Sequence, residues 1–163
     1  MQNQLSIKIG NDEFLADLLV GDAPKTIKAM LAVLPMPSKC WHAAWWGDAI
    51  VQHEAPKEKM PYIEPENSVV FCSRGEVLWY PGQPDLGYPY GGGELIIAHG
   101  ATELKWRGGY TPANLFARIN HNLDDLDDIG QEMWAGGGAK DLLISLADSY
   151  TPERKPRWTG PRC

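Results

Sequence analysis

Histidine and aromatic side chains concentrate in one stretch, Cys40–His53 (CWHAAWWGDAIVQH), which holds three of the chain's seven tryptophans and two of its four histidines and no charge before Asp48. His42 is the residue best suited to chemistry. On a strand that faces an open cleft it can serve as acid, base or ligand, because its ordinary pKa lies close to neutrality. A hydrogen-bonded structural histidine is the plainer alternative. Cys40 shares the strand parity of His42, so an activated thiol is geometrically conceivable, but both Cys40 and Cys72 read first as buried strand thiols. Trp45, Trp46, Trp79, Tyr80, Tyr88, Tyr90 and Trp106 carry enough planar apolar area to wall a pocket for a planar, apolar or cationic small molecule. Core packing claims several of them. Trp41, Trp45 and Trp79 are assigned to the core, and Trp46, Tyr80, Tyr90 and Trp106, on or beside loops, to the pocket.

Other chemistries find less support. The four histidines show no HxH or HxxxH spacing, and Cys40, Cys72 and Cys163 form no CxxC. Neither a zinc set nor a disulfide framework is implied. Asp124, Asp125, Asp127 and Asp128 suggest a cation site at first sight. They lack the alternating order, glycine and closing glutamate of a calcium loop, and acids in a first helical turn complement the helix dipole on a wet face. The run YPYGGG (Tyr88–Gly93) lacks the Lys and Ser/Thr that follow in a phosphate loop. No metal site and no cofactor are expected.

Short elements must position these groups. Gln4–Ile9 and Glu13–Leu19 flank Gly10-Asn11-Asp12 and predict a hairpin. Asp22, Ala23 and Pro24 open a helix with an aspartate cap and proline in the first turn. Its stripe is Ile27, Met30, Leu31 and Leu34, and Pro35 and Pro37 end it. Alternation makes Trp41–Val51 a strand, with Gly47-Asp48 marking a bulge or bend, so that His42, Trp46 and Asp48 share one face. His53–Pro65 is a loop. Ser68–Cys72, Glu76–Tyr80 and Glu94–His99 are strands; Pro81–Gly93 and Gly100–Pro112 are irregular. Asn114–Ile119 is a strand or a turn of helix. Leu123, Leu126, Ile129 and Met133 space a second helix, and Lys140–Asp148 a last strand. The inventory is a mostly antiparallel barrel or sandwich with helices at its ends.

The 163 residues fit one domain, 1–150, followed by a basic tail, 151–163. That tail carries four basic residues against Glu153 alone, a balance of +3 that leaves −9 on the rest of a chain of net charge −6. An acidic body repels phosphate backbones and anionic lipid, so neither nucleic-acid nor membrane partners are expected. No apolar run approaches the roughly 20 residues that span a bilayer. The first residues alternate polar and apolar side chains and read as mature protein, and the expected setting is cytoplasmic.

The order strand–strand–APKTIKAMLAVLP helix, then GEVLWYPG, ELIIAHG and NLFARINHNLDDLDD, resembles cyclophilin-like domains over nearly all of Gln4–Asp148. It looks closest to small bacterial cyclophilin-like families of unassigned function. The resemblance implies an eight-stranded barrel capped by two helices. Prolyl isomerases of that family carry a phenylalanine-histidine-arginine run after the first helix, with the arginine as chief catalytic group. Here the matching run is Trp41-His42-Ala43, and the arginine is missing. Their glutamine-phenylalanine pair falls near Glu94 and Ile96.

The expectation is therefore a small organic ligand held in an aromatic cleft walled by Trp46, Tyr80, Tyr90 and Trp106, with His42 and Glu94 fixing its polar groups. One alternative is an enzyme acting on a small metabolite, with His42 as acid/base and Glu94 or Asp48 as its orienter. Another is a weak prolyl isomerase. Self-association into a homo-oligomer stays open.

Overall fold

Leu5, Ile7 and Ile9 alternate with polar neighbours and form β1 (Gln4–Ile9), which turns at Gly10-Asn11 into β2 (Asp12–Leu18), as the hairpin signal predicts. The structure is a computed structural model that describes residues 3–52, 62–81, 93–106 and 108–147, without the side chain of Trp106. After α1 (Pro24–Val33) come β3 (Met36–His42), β4 (Gly47–Gln52), two short strands β5 (Ser68–Val69) and β6 (Phe71–Cys72), β7 (Glu76–Tyr80) and the long β8 (Glu94–Glu103). A small hairpin, β9 (Lys105–Trp106) and β10 (Gly109–Tyr110), leads to β11 (Ala113–Ile119), α2 (Leu123–Gly136) and β12 (Lys140–Leu146).

Eight of these strands close a barrel in the order β2-β1-β12-β3-β4-β8-β7-β11, and β11 pairs back with β2. Every pairing is antiparallel. The fold is thus the mostly β, two-helix barrel expected. Apolar side chains from all eight barrel strands and both helices, Trp79, Phe116, Ile7, Met30 and Leu126 among them, fill the interior. Each fully buried side chain of this size contributes roughly 1.5–3 kcal/mol. A second apolar layer, with Trp46, Val51, Leu78, Tyr80, Ile96 and Leu115, covers the outer face of β4, β7, β8 and β11. The chain direction puts the helices at opposite ends. α1 links the end of β2 to the start of β3, and α2 links the end of β11 to the start of β12.

Three local expectations change. Asp22 does not cap α1; Ala23 precedes it without a side-chain bond. The missing cap arrives from far along the chain. The Glu66 carboxylate accepts the backbone N–H groups of Lys25 and Thr26 at 3.1 and 2.8 Å and the Thr26 hydroxyl at 2.9 Å. Burial alone would raise the Glu66 carboxyl, but these donors and the Lys25 charge hold it below its usual range. Buried Asn114 fastens the segment by accepting from Glu66 N–H at 3.1 Å and donating to the Glu64 carbonyl at 3.0 Å.

Second, the tryptophan-rich stretch is two strands, β3 and β4, joined by a turn at Ala43–Trp46, rather than one bulged strand. Trp45 is consequently exposed at that turn instead of packed in the core, and Trp41 is half-buried; Trp79 is fully buried as expected. Third, Gly100–Glu103 is regular, because β8 runs on past His99 to pair with β6. The residues 53–61, 82–92 and 148–163, with Tyr88, Tyr90, most of the glycine-rich link and the basic tail, lie outside the described residues.

Candidate functional site

The α2 end of the barrel gathers the polar groups. His42 is the last residue of β3 and follows the interior-facing parity of Met36 and Cys40. It pairs with Ile50 on β4, and Ile50 pairs with Ile97 on β8. Two residues further toward the α2 end on each strand lie Asp48 and His99, again on the interior face. Three adjacent strands therefore deliver His42, Asp48 and His99 to one spot, where one ligand atom from each lies within 4.8 Å of the others.

Two glycines make this approach possible. A Cβ on Gly100 would stand 2.4 Å from an Asp48 carboxylate oxygen, so the Asp48 side chain occupies the space a larger residue would take. A Cβ on Gly130 of α2 would stand 2.4 Å from the His99 ring. The helix backbone lies directly on that imidazole.

The hydrogen bonds fix the protons. His99 is fully buried, and its Nδ1 lies 3.1 Å from Asp127 Oδ1. A carboxylate only accepts, so His99 Nδ1 donates, and its Nε2 presents a lone pair. That Nε2 stands 3.0 Å from His42 Nε2, which makes His42 the donor in this contact. The Nδ1 of His42 is then an acceptor, buried without a hydrogen-bond partner among the described residues. Gln131 Nε2 donates to Asp127 Oδ1 at 3.2 Å and steadies the outer end of the chain.

Burial, the His99 ring second, pushes His42 down to about 4 against the pull of Asp48. Burial likewise lowers His99, opposed by the Asp127 hydrogen bond and by the charges of Asp48 and Asp127. Both imidazoles are neutral at pH 7. The His42 ring also meets the Trp134 indole, with centroids 5.1 Å apart, and Trp134 is 46% exposed. One side of the histidine pair thus faces the interior and the other an accessible aromatic surface.

The remaining sequence candidates fall elsewhere. Trp46 is buried in the outer layer and donates its indole N–H to the Lys105 carbonyl at 2.7 Å. Tyr80 and Glu94 are buried cross-strand partners on β7 and β8, on the face opposite His42. Among the described residues Trp46, Tyr80 and Glu94 share a sheet face with one another but no cleft with His42. Tyr90 and the Trp106 side chain lie outside the described residues. Burial pushes the Cys40 thiol up to about 12 and the Cys72 thiol up to about 12, so neither is an activated nucleophile. A surface depression lined by Glu132, Met133, Gly136 and Lys140 adjoins the end of α2 and contains none of the three clustered residues.

Asp127, Gln131 and Trp134 were not among the sequence candidates, and Asp127 and Asp128 read there as a wet face. Asp124 does pair with Arg74 at 2.7 Å in the open, but Asp127 turns to His99 and Asp128 is buried. The helical spacing of Asp127, Gln131 and Trp134 at i, i+4 and i+7 was the available signal.

Known proteins share this architecture. The structure of McbB in complex with tryptophan matches 97% of the chain with a TM-score of 0.67 at 17% identity. The chain spans about half of McbB, 49% of its length. The solution structure of the hypothetical protein AF2241 from Archaeoglobus fulgidus matches 90% of the chain and 95% of its own length, with a TM-score of 0.55 and 18% identity. At these identities the likeness is one of fold. No sequence match to a curated protein is found. Residues 5–145 match the family described as "Protein of unknown function (DUF3830)", and the chain belongs to that family.

Proposed function

We propose that this barrel binds a small organic ligand at its α2 end, where the ligand's flat apolar part lies on Trp134 and its polar part meets His42. The observation that carries this reading is the His42 ring held between His99 and the accessible Trp134 indole, with centroids 5.1 Å away on both sides. Aromatic surface beside a few convergent polar groups is the usual make-up of a small-molecule site. McbB, of the same fold, is in complex with tryptophan, and that supports L-tryptophan as the first probe.

The cyclophilin-like assignment belongs to this reading, supported by the strand–strand–helix opening and the eight-strand closure. Ala43 at the expected arginine position argues against prolyl isomerisation. The cytoplasmic setting is supported by the free, buried Cys40 and Cys72.

Titration calorimetry with L-tryptophan tests the proposal. Saturable binding is expected, weakened about tenfold or more in Trp134→Ala and in His42→Gln. Unchanged affinity in both variants would place the ligand elsewhere, and absent binding across a panel of indoles and aromatic amino acids would remove the reading.

A second reading rests on the chain His42–His99–Asp127. Such a relay orients and polarises an acid/base histidine. Of the two expected orienters Glu94 lies on the opposite sheet face and Asp48 stands in the cluster beside His42, while Asp127 orients His42 through His99. Catalysis predicts that His42→Gln loses turnover while ligand binding persists.

A further inference from the structure

We propose that His42, Asp48 and His99 form a binding site for one divalent first-row transition-metal ion. The proposal shares His42 with the organic-ligand reading but rests on separate observations, on the three side chains and Asp127.

Four observations converge on it. First, two imidazoles and one carboxylate form the donor set of many zinc and non-haem iron sites, in which further positions stay open for water or substrate. Second, the spacing is right. Two nitrogens bound to one ion at about 2.1 Å lie about 3.0 Å apart in octahedral and about 3.4 Å apart in tetrahedral geometry, and the Nε2 atoms of His42 and His99, 3.0 Å apart, match the octahedral end of that range. Third, the outer support is already in place. A metal-bound histidine usually gives its other N–H to a carboxylate, which fixes the ring and its tautomer; His99 Nδ1 meets Asp127 Oδ1 at 3.1 Å, and Gln131 holds the same oxygen. Fourth, the backbone makes room for the cluster, since Gly100 and Gly130 leave the space that Asp48 and His99 fill.

A plain hydrogen bond between two imidazoles explains the 3.0 Å contact alone. Asp48 also brings a carboxylate oxygen within 4.8 Å of a ring nitrogen of each histidine, which adds an anionic donor to the pair. Loading requires His42 to carry its proton on Nδ1, so that both Nε2 lone pairs meet the ion. The Nε2–H bond of His42 breaks and an Nδ1–H bond forms in its place, no proton is lost from the cluster, and the net charge of the three side chains with the ion changes from −1 to +1. Imidazole donors exclude calcium and magnesium as the preferred ions.

The test uses the full chain, stripped with a chelator and titrated with Zn2+ by calorimetry and with Co2+ by absorption. One equivalent of Zn2+ is expected to bind, and Co2+ is expected to give a visible ligand-field band displaced by Zn2+. His42→Gln and Asp48→Asn should each weaken Zn2+ at least tenfold, and Asp127→Asn, which leaves the ligands intact, about 10–100-fold. Far-ultraviolet circular dichroism checks that the variants fold. No saturable uptake by the wild-type chain, or unchanged affinity in His42→Gln or Asp48→Asn, would overturn the proposal. Uptake that survives these changes would belong to other donors, such as His121. Failure of the metal test leaves the L-tryptophan result untouched, and the reverse holds too.

Discussion

His42 Nε2 and His99 Nε2 face one another at 3.0 Å across the α2 end of the barrel, although 57 residues separate them in the chain. β4 lies between their strands, so the contact spans the width of a strand and depends on Ile50 pairing with both His42 and Ile97. His99 is held by Asp127 and the α2 backbone at Gly130, and His42 by His99 and Trp134.

Acid should loosen this end of the molecule. Both histidines have depressed folded-state pKa values, His42 at about 4. As pH falls, the unfolded chain, with histidines near 6.5, takes up protons before the folded one. Stability is therefore full above about 6.5 and lost as pH falls toward 4. The facing groups are Asp48 from β4 and Asp127 from α2, with Arg74 acting on His99. Melting temperatures measured between pH 7.5 and 4.5 should fall, and His42→Gln should flatten the slope. An equal slope in the variant would refute the assignment.

Gly130→Ala should destabilise the protein in spite of alanine's better helix propensity. The new Cβ would meet the His99 ring at 2.4 Å, and the buried ring has no room to yield. Overpacking costs about 1–3 kcal/mol and the propensity gain returns about 1 kcal/mol. Denaturant unfolding should show a net loss of up to about 2 kcal/mol; a gain would mean that α2 is not seated on His99.

Glu66→Ala should cost about 1 kcal/mol, the usual worth of a helix cap, or about 2–4 °C in Tm for a chain of this size. Asp22→Ala, at the residue that sequence pattern alone marks as the cap, should leave Tm unchanged, because α1 receives its bonds from Glu66. Thermal melts of the two variants side by side decide this.

A Xaa-Pro test peptide should isomerise no faster with the protein than without it. The residue after His42 is Ala43, which is buried and carries no donor. Acceleration above background in a protease-free assay would contradict the binding reading.

Much of this fold was legible from the chain. The β1–β2 hairpin, the α1 stripe of Ile27 and Met30, and the apolar spacing of Leu126, Ile129 and Met133 are local patterns that the structure uses directly. Cap chemistry was legible only when local. Asp22 has the right type and place, but the donors are taken by Glu66, 40 residues beyond Thr26, which no local rule can name. The Cys40–His53 stretch was hard for a different reason. Alternation continues across a tight turn, so the turn at Ala43–Trp46 hides within a period of two, and Trp45 looks as apolar as its buried neighbours. The site was legible in two residues, His42 and Asp48 on one strand face. Their partners come from β8 and α2, and no spacing rule reaches across strands to join His99 or Asp127 to them.

The most direct test of the α2-end site is the imidazole spectrum of the protein labelled with 15N-histidine, recorded at pH 7 before and after addition of L-tryptophan. Neutral His42 and His99 are expected, with His99 protonated on Nδ1, together with a ligand-dependent shift of the His42 nitrogens that leaves His121 unmoved. Binding heat accompanied by an unmoved His42, with shifts confined to His121, would contradict a ligand site at this end of the barrel.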